Sequence, residues 1–345
     1  MQVDSVELKT KVLEALRKLR NYQTPNHGKA LVQALNSFGP FIALWIIMYN
    51  LWDVSKWAVI GLSFLNALFL VRIFIIQHDC GHNNFVRSSR IRHILGYICS
   101  LFSSIPYHYW AKSHHFHHMH NGILEFRDIG DIDTMTVKEF SSLDKKQRFW
   151  YRIYRSTIVM FVFVPLYYIL IHNRLPLIKL AEFKRVKWSL WLNNLIFVGI
   201  ITLMCLVLDW QKVIAVHFII LGFFSMIAIW FFYIQHQHEH GYKEWKNKWE
   251  FMIAAIKGSS YYKLPKWMNW FTGNIAIHHI HHLNPAIPNY HLQECVKEVP
   301  FLNSFTTEIT FWESLKLSQN KLWHEAEQRM ITLREYYQME RMGLV

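Results

Sequence analysis

The sequence predicts an all-α integral membrane protein, with four transmembrane helices in two hairpins and a cytoplasmic helical cap holding a histidine-ligated dimetal site. Three observations carry this expectation. Hydrophobic residues make up 52% and aromatic residues 16% of the 345 positions, and they gather in blocks approaching the roughly 20 residues a helix needs to span hydrocarbon. Basic residues cluster on one side of those blocks. Finally, many of the 21 histidines fall into three short clusters.

Taken in order, residues 3–20 place Val6, Leu13, Leu16 and Leu19 at helical spacing among acidic and basic residues. That pattern predicts an amphipathic helix, solvated or interfacial, ahead of the first span. After the polar stretch 21–29, apolar segments at about 31–52 and 57–77 are joined by only 53–56, which makes a transmembrane hairpin. A second hairpin comprises about 188–208 and 213–234, turning through 209–212. Two shorter apolar runs, 94–106 and 158–171, are too short to cross, and Pro165 interrupts the second; both read as interfacial or re-entrant.

Lys plus Arg number 6 in residues 1–30, 16 between the hairpins and 12 after residue 240, against one in each hairpin turn. The positive-inside rule then puts both termini and the central loop in the cytoplasm. Arg72 lies near the cytoplasmic end of the second span, where it can snorkel. The expected organisation is an N-terminal cytoplasmic amphipathic segment over 1–30, a membrane and catalytic domain over 31–295, and a C-terminal cytoplasmic helical segment over 296–345. The net charge of +13 sits beside apolar spans, where it anchors anionic headgroups, so nucleic acid is not an expected partner. Four cysteines without CxxC pairing imply no disulfide framework. No short apolar core precedes a small-residue cleavage site near the N-terminus, so the first span is expected to direct insertion itself.

The histidine clusters are HDCGH (His78, His82), HHFHH (His114, His117, His118) and HHIHH (His278, His281, His282). Each contains a pair three or four positions apart, which on a helix aims two imidazoles at one metal. The adjacent pairs His117/His118 and His281/His282 diverge around the helix and suit two neighbouring metals. At this chain's own histidine frequency an HxxHH triplet would arise by accident on the order of 0.1 times per chain. It occurs twice. With four spans, all three clusters emerge on the cytoplasmic side. Eight histidines are too many for one metal and about right for two. Imidazole suits Zn, Cu, Fe and Ni alike, so ligand type does not choose among them. An all-nitrogen pair beside the bilayer, open to a dissolved gas and a lipid tail, fits oxidative C–H chemistry better than hydrolysis.

The sequence resembles the membrane fatty acid desaturase family, of the bacterial acyl-lipid type, over about residues 77–295. The resemblance rests on QHDCGHNNFVRSSR, PYHYWAKSHHFHHMHNG with IGDIDTMTVKEF, FFYIQHQHEH, and GSSYYKLPKWMNWFTGNIAIHHIHHLNPAIPNYHLQEC. It implies oxygen-dependent introduction of a cis double bond into a lipid-bound acyl chain. It also implies two irons cycling between Fe2+ and Fe3+, O2 as co-substrate and electrons from an external donor. The eight box histidines are the implied ligands. Three residues separate His78 from His82, as in acyl-lipid desaturases, which points to a glycerophospholipid substrate. No His-Pro-Gly-Gly haem motif is present, which implies a separate ferredoxin- or flavodoxin-type donor. The implied location is the bacterial plasma membrane.

The resembling bacterial sequences have histidine at the position of His236, so His236 is the expected ninth ligand. A helix continuing past the fourth span would put His240 one turn beyond it and His238 on another face. Asp79, Asp131, Glu239 and Asn274 are candidates to orient imidazoles through their second N–H groups. The extra histidines His115, His120, His238, His240 and His279 depart from the family's pattern. Two rival readings share features of the sequence. A di-iron lipid or hydrocarbon hydroxylase would use the same boxes, and a metal transporter would line its spans with histidine, whereas only His217 lies well inside one.

Overall fold

The computed structural model describes residues 5–345. Its first helix, α1, runs Ser5–Leu19; positions 3 and 4 of the expected helix lie outside the described residues. Four helical segments are long and apolar enough to cross a membrane: His27–Leu51 (α2), Lys56–Gly81 (α3), Ala181–Val207 and Trp210–His236. Side-chain caps mark the starts of three of them. Asn26 accepts from the Lys29 N–H, Ser55 from Ala58, and Asp209 from Gln211 and Lys212. The two hairpin turns are pinned together by an Asp53–Lys212 ion pair and by the Asp209 N–H donating to the Tyr49 hydroxyl at 2.9 Å.

At 1.5 Å per residue, α3 is about 39 Å long against a hydrocarbon core of about 30 Å. Its last turns therefore project beyond the apolar layer, on the same side as the end of the fourth span. α3 is the central helix. It packs against α2, against α4 (Ser89–Ser103) and against the fourth span. α5 (Tyr107–His120) follows α4 through a tight turn in which Ser104 takes a left-handed conformation.

The shorter apolar runs form α4 and a broken helix. After α6 (Val137–Ser141) and α7 (Lys145–Tyr154), the chain bends by 54° into Val159–Arg174. Residues Val159–Phe163 form a π turn in which the Val164 N–H reaches the Val159 carbonyl. Pro165 sits in the first turn of α8 (Val164–Leu170), where its missing N–H is least damaging. α9 (Lys187–Val207) and α10 (Trp210–His236) complete the second hairpin.

The cap is built from α1, α11 (Phe251–Lys257), α12 (Lys266–Phe271), α13 (His278–Leu283), α14 (Leu292–Glu298) and the C-terminal segment. Two small sheets were not expected: β1 (Ser260–Lys263) pairs in parallel with β2 (Thr307–Thr310), and β3 (Asn320–His324) antiparallel with β4 (Arg329–Thr332). α1 is neither solvated nor purely interfacial. It buries Leu8, Val12, Ala15 and Leu19 in a cluster with Ile256, Val296 and Val299, while Val6 and Leu13 face outward.

Arg72 also departs from expectation. Its side chain is 7% exposed and bonds to the Trp270 carbonyl and to Asn36 Oδ1 (3.2 Å), stacking over the Trp270 ring at 4.0 Å. These partners satisfy the guanidinium inside the protein, so it does not need to reach the headgroups.

Gly96 allows the close approach of α4 and α5, since a Cβ there would overlap the buried Tyr107 ring. Gly96→Ala is therefore expected to destabilise the fold by about 1–3 kcal/mol, read as a lower midpoint of thermal unfolding in detergent. An unchanged midpoint would show that Tyr107 yields freely.

Candidate metal centre

The last turn of α3 carries His78, His82 caps its end, and α5 carries His114, His117 and His118. His236 is the final residue of α10, while α13 presents His278, His281 and His282. These elements bring the ring nitrogens of His78, His82, His114, His118 and His281 within 4.8 Å of one another. A second group comprises His117, His236 and His282, and His278 joins it with its Nε2 at 2.9 Å from His236 Nε2. Each adjacent pair is divided: His118 and His281 face the first group, His117 and His282 the second.

The hydrogen-bond inventory tests whether these groups fit metal ions. His78 Nδ1 lies 2.9 Å from Asp79 Oδ1. A carboxylate only accepts, so Nδ1 carries the proton and Nε2 offers its lone pair. That Nε2, like those of His82 and His282, is buried without a hydrogen-bond partner. His236 Nδ1 donates to the Gly258 carbonyl at 3.1 Å, which turns its Nε2 lone pair toward His117 Nε2 (3.2 Å) and His278 Nε2. His118 Nε2 is 3.1 Å from both His114 Nε2 and His281 Nε2. Two nitrogens bound about 2.1 Å from one ion at a right angle stand about 3.0 Å apart, so this spacing suits a shared cation.

Burial, reinforced by neighbouring imidazoles, pushes His82, His114, His118, His278, His281 and His282 well below the usual histidine range. His117 is pushed down to about 3 by burial and by the facing His236. All are thus held in the neutral form that ligates metal.

Asp79 is the best-connected acid of the site. Its Oδ2 accepts from the Asn289 backbone N–H at 2.7 Å and from Asn289 Nδ2 at 2.8 Å. Asn274 stands one step further out, donating to the Asn289 carbonyl at 3.1 Å. Asp131 Oδ1 accepts from the Ile132 N–H, and its charge acts on His117 across space. The Asp131 loop lies close to α5 because Gly130, at φ +73°, leaves no Cβ against the Ser113 carbonyl and His117.

Glu239 is exposed and faces Arg329 at 3.8 Å, away from the imidazoles. The helix expected to continue beyond the fourth span ends at His236, because Gln237 leaves helical geometry as its side chain accepts from Thr134 Oγ1 at 2.8 Å. His240 is therefore exposed rather than one turn along, and His238 is buried apart from both groups. Among the described residues His115, His120 and His279 also lie outside the two groups.

Three contributors were missed in the sequence: Asn289, Gly258 and Trp110, whose ring stacks on His114 at 4.7 Å and 12°. Trp110 stands four positions before His114, a local signal, whereas Gly258 and Asn289 carry none, since each acts on a partner distant in the chain.

A cavity of about 820 Å³ opens on both groups through His78, His114 and His278. Its walls come from Val71 and Ile75 on α3, Trp110 on α5, Pro165 and Tyr168 on α8, and Ile229 and Phe232 on α10. Its mainly apolar walls suit a long hydrocarbon ligand.

The family model described as Fatty acid desaturase matches residues 55–301. A fatty acid desaturase of Bacillus subtilis (strain 168) is 36% identical over 318 residues, 92% of this chain and 90% of the relative. An sn-1 oleoyl-lipid 12-desaturase of Anabaena variabilis is 25% identical over 286 residues, covering 78% of this chain and 75% of its own length. An sn-2 acyl-lipid omega-3 desaturase (ferredoxin), chloroplastic, of Helianthus annuus is 25% identical over 300 residues, covering 81% and 61% respectively.

Asp79→Asn removes the charge that fixes the His78 proton and is expected to weaken metal retention about 10–100-fold. Metal content after graded chelator challenge measures it, and wild-type retention would leave Asp79 without that role. His236→Ala should empty the second group, roughly halving bound metal per chain, whereas His240→Ala should leave the metal content as it was. Loss in His240→Ala with retention in His236→Ala would reverse the assignment.

Proposed function

The chain belongs to the fatty acid desaturase family, and from that premise we propose that it introduces a cis double bond into the acyl chain of a glycerolipid at a pair of irons. The observation that carries the reading is the pair of adjacent imidazole groups opening on one apolar cavity. Relatives named for oleoyl-lipid and acyl-lipid substrates support a lipid-borne chain.

In this reading His78, His82, His114, His118 and His281 hold one iron, and His117, His236, His278 and His282 the other. When bound and reduced, the pair supplies the means for O2 to oxidise an unactivated C–H bond. The balance is one CH2–CH2 unit, one O2, two electrons and two protons giving CH=CH and two waters. The chain's own residues do the remaining work. The mainly apolar cavity walls hold two methylenes against the groups. Asp79 and Asn289 fix the tautomer and direction of His78. The Gly258 carbonyl does the same for His236. Burial keeps the rings of His82, His114, His117, His118, His278, His281 and His282 unprotonated.

The electrons come from a separate carrier of ferredoxin or flavodoxin type, a reading supported by the ferredoxin-named relative and by the basic balance of 37 Lys plus Arg over 24 Asp plus Glu. The charge distribution around the spans supports both termini and the metal groups on the cytoplasmic face, and the Bacillus relative supports a bacterial plasma membrane as the location.

Expression in a host lacking unsaturated fatty acids is expected to yield phospholipid acyl chains two hydrogens lighter than their precursors, with the double bond located by mass spectrometry. A product carrying one added oxygen would replace desaturation by hydroxylation.

A further inference from the structure

The broken helix over α7 and α8 has two faces with different neighbours. On the inside Met160, Val164, Pro165, Tyr168 and Ile169 line the cavity. On the outside Ile158 (67%), Phe163 (60%) and Ile171 (49%) are exposed. A single layer of helix therefore separates the cavity from the surroundings of the spans. Tyr167 belongs to both faces, since it lines the cavity and is 50% exposed.

The ends of this segment are pinned by polar contacts and its middle is not. At one end the fully buried Arg155 donates to the carbonyls of Asp133 (3.1 Å) and Asn320 (3.2 Å) and to Gln237 Oε1 (3.3 Å). At the other, Arg174 donates to the Ser104 carbonyl (2.6 Å) and to Asn194 Oδ1 (3.0 Å). Between them the π turn departs from the regular α-helical ladder. The seam with α10 is aromatic: Phe161 meets Trp230 at 4.9 Å and Tyr233 at 5.1 Å. α7 continues the segment with exposed Phe149, Trp150 and Ile153 on one face, flanked by exposed Lys145, Lys146 and Arg152. Such a face seats in the acyl–headgroup boundary of an anionic leaflet.

We propose that α7, the π turn and α8 form a lateral lipid gate: α7 rests in the leaflet nearest the metal groups, and the π turn with α8 parts from α10 to admit one acyl chain of a membrane-resident anionic glycerolipid into the cavity. The headgroup stays at the surface beside the basic residues of α7. The proposal rests on the glycerolipid reading given above.

The test is photolabelling of the full-length protein in vesicles containing a phosphatidylglycerol with a diazirine midway along one acyl chain. Adducts are mapped by mass spectrometry, a readout independent of turnover. Phe161→Cys with Trp230→Cys, bridged by a short reducible bis-thiosulfonate, locks the seam. Locking is expected to lower adducts on Met160, Tyr168 and Phe232 at least tenfold, with recovery on reduction and steady labelling of outward Phe163. Equal cavity labelling in locked and reduced protein overturns the gate. A second variant, Phe149→Glu with Trp150→Glu, needs no bridge and is expected to lower cavity adducts severalfold in vesicles; unchanged labelling there also counts against the gate. A diazirine fatty acid run in parallel separates the two readings. If it labels the cavity while phosphatidylglycerol does not, even with the seam reduced, the glycerolipid reading falls and the gate with it.

Discussion

Nine imidazoles must be held with their lone pairs converging in a space that excludes water. That constraint shapes the rest of the cap. Each nitrogen turned inward forfeits hydration, and those of His78, His82 and His282 have no hydrogen-bond partner in return. The rings cannot hold one another in place, so the framework does it. Asn84 Nδ2 donates to the carbonyls of Pro285 (2.7 Å) and Ile287 (3.0 Å), tying the loop after the first box to the loop after the third. Asn289 ties the loop after the third box to the first box itself through Asp79. Asn121, just beyond the second box, donates to the carbonyls of Ala254 (3.3 Å) and Gly258 (3.4 Å), and Gly258 holds His236. The boxes are therefore positioned by amides outside them.

The bilayer sets where this can happen. α3 and α10 are both longer than the hydrocarbon is thick, at 26 and 27 residues. Their final turns carry His78, His82 and His236 clear of it. With the opposite ends locked through Asp53 and Lys212, the extra length appears on the histidine side. The cavity runs back between the spans along Val71, Ile75 and Ile229, so hydrocarbon can stay in an apolar setting up to the point of reaction.

Parts of this were legible in the sequence because they depend on local periodicity. The four spans follow from block length. The division of His117 from His118 and of His281 from His282 follows from the 100° between successive helical residues. What was not legible depends on partners remote in the chain. α1 has apolar residues on more than one face, and which stripe is buried is decided by Ile256, Val296 and Val299. The end of α10 carries no glycine or proline; it is set by Thr134 and Arg155 capturing Gln237. Among the proposed orienting groups, Asp79 adjoins its histidine, whereas the placements of Glu239 and Asn274 depend on Arg329 and Asn289.

That few acids serve so many histidines has a cost in charge balance. Nine neutral nitrogens leave the full charge of any bound cations uncompensated, unlike the carboxylate-rich ligand sets of soluble di-iron bundles. Next to a bilayer that charge is expensive to bury. Each group has one acid near it: Asp79, 1% exposed and bonded to His78, for the first, and Asp131, acting through space on His117, for the second. The second is the weaker counterion, because the buried Lys243 also feels Asp131 and itself opposes charge on His117. The two groups thus differ in compensation as well as ligand number, so ions bound to them would differ in how strongly the protein favours their higher charge.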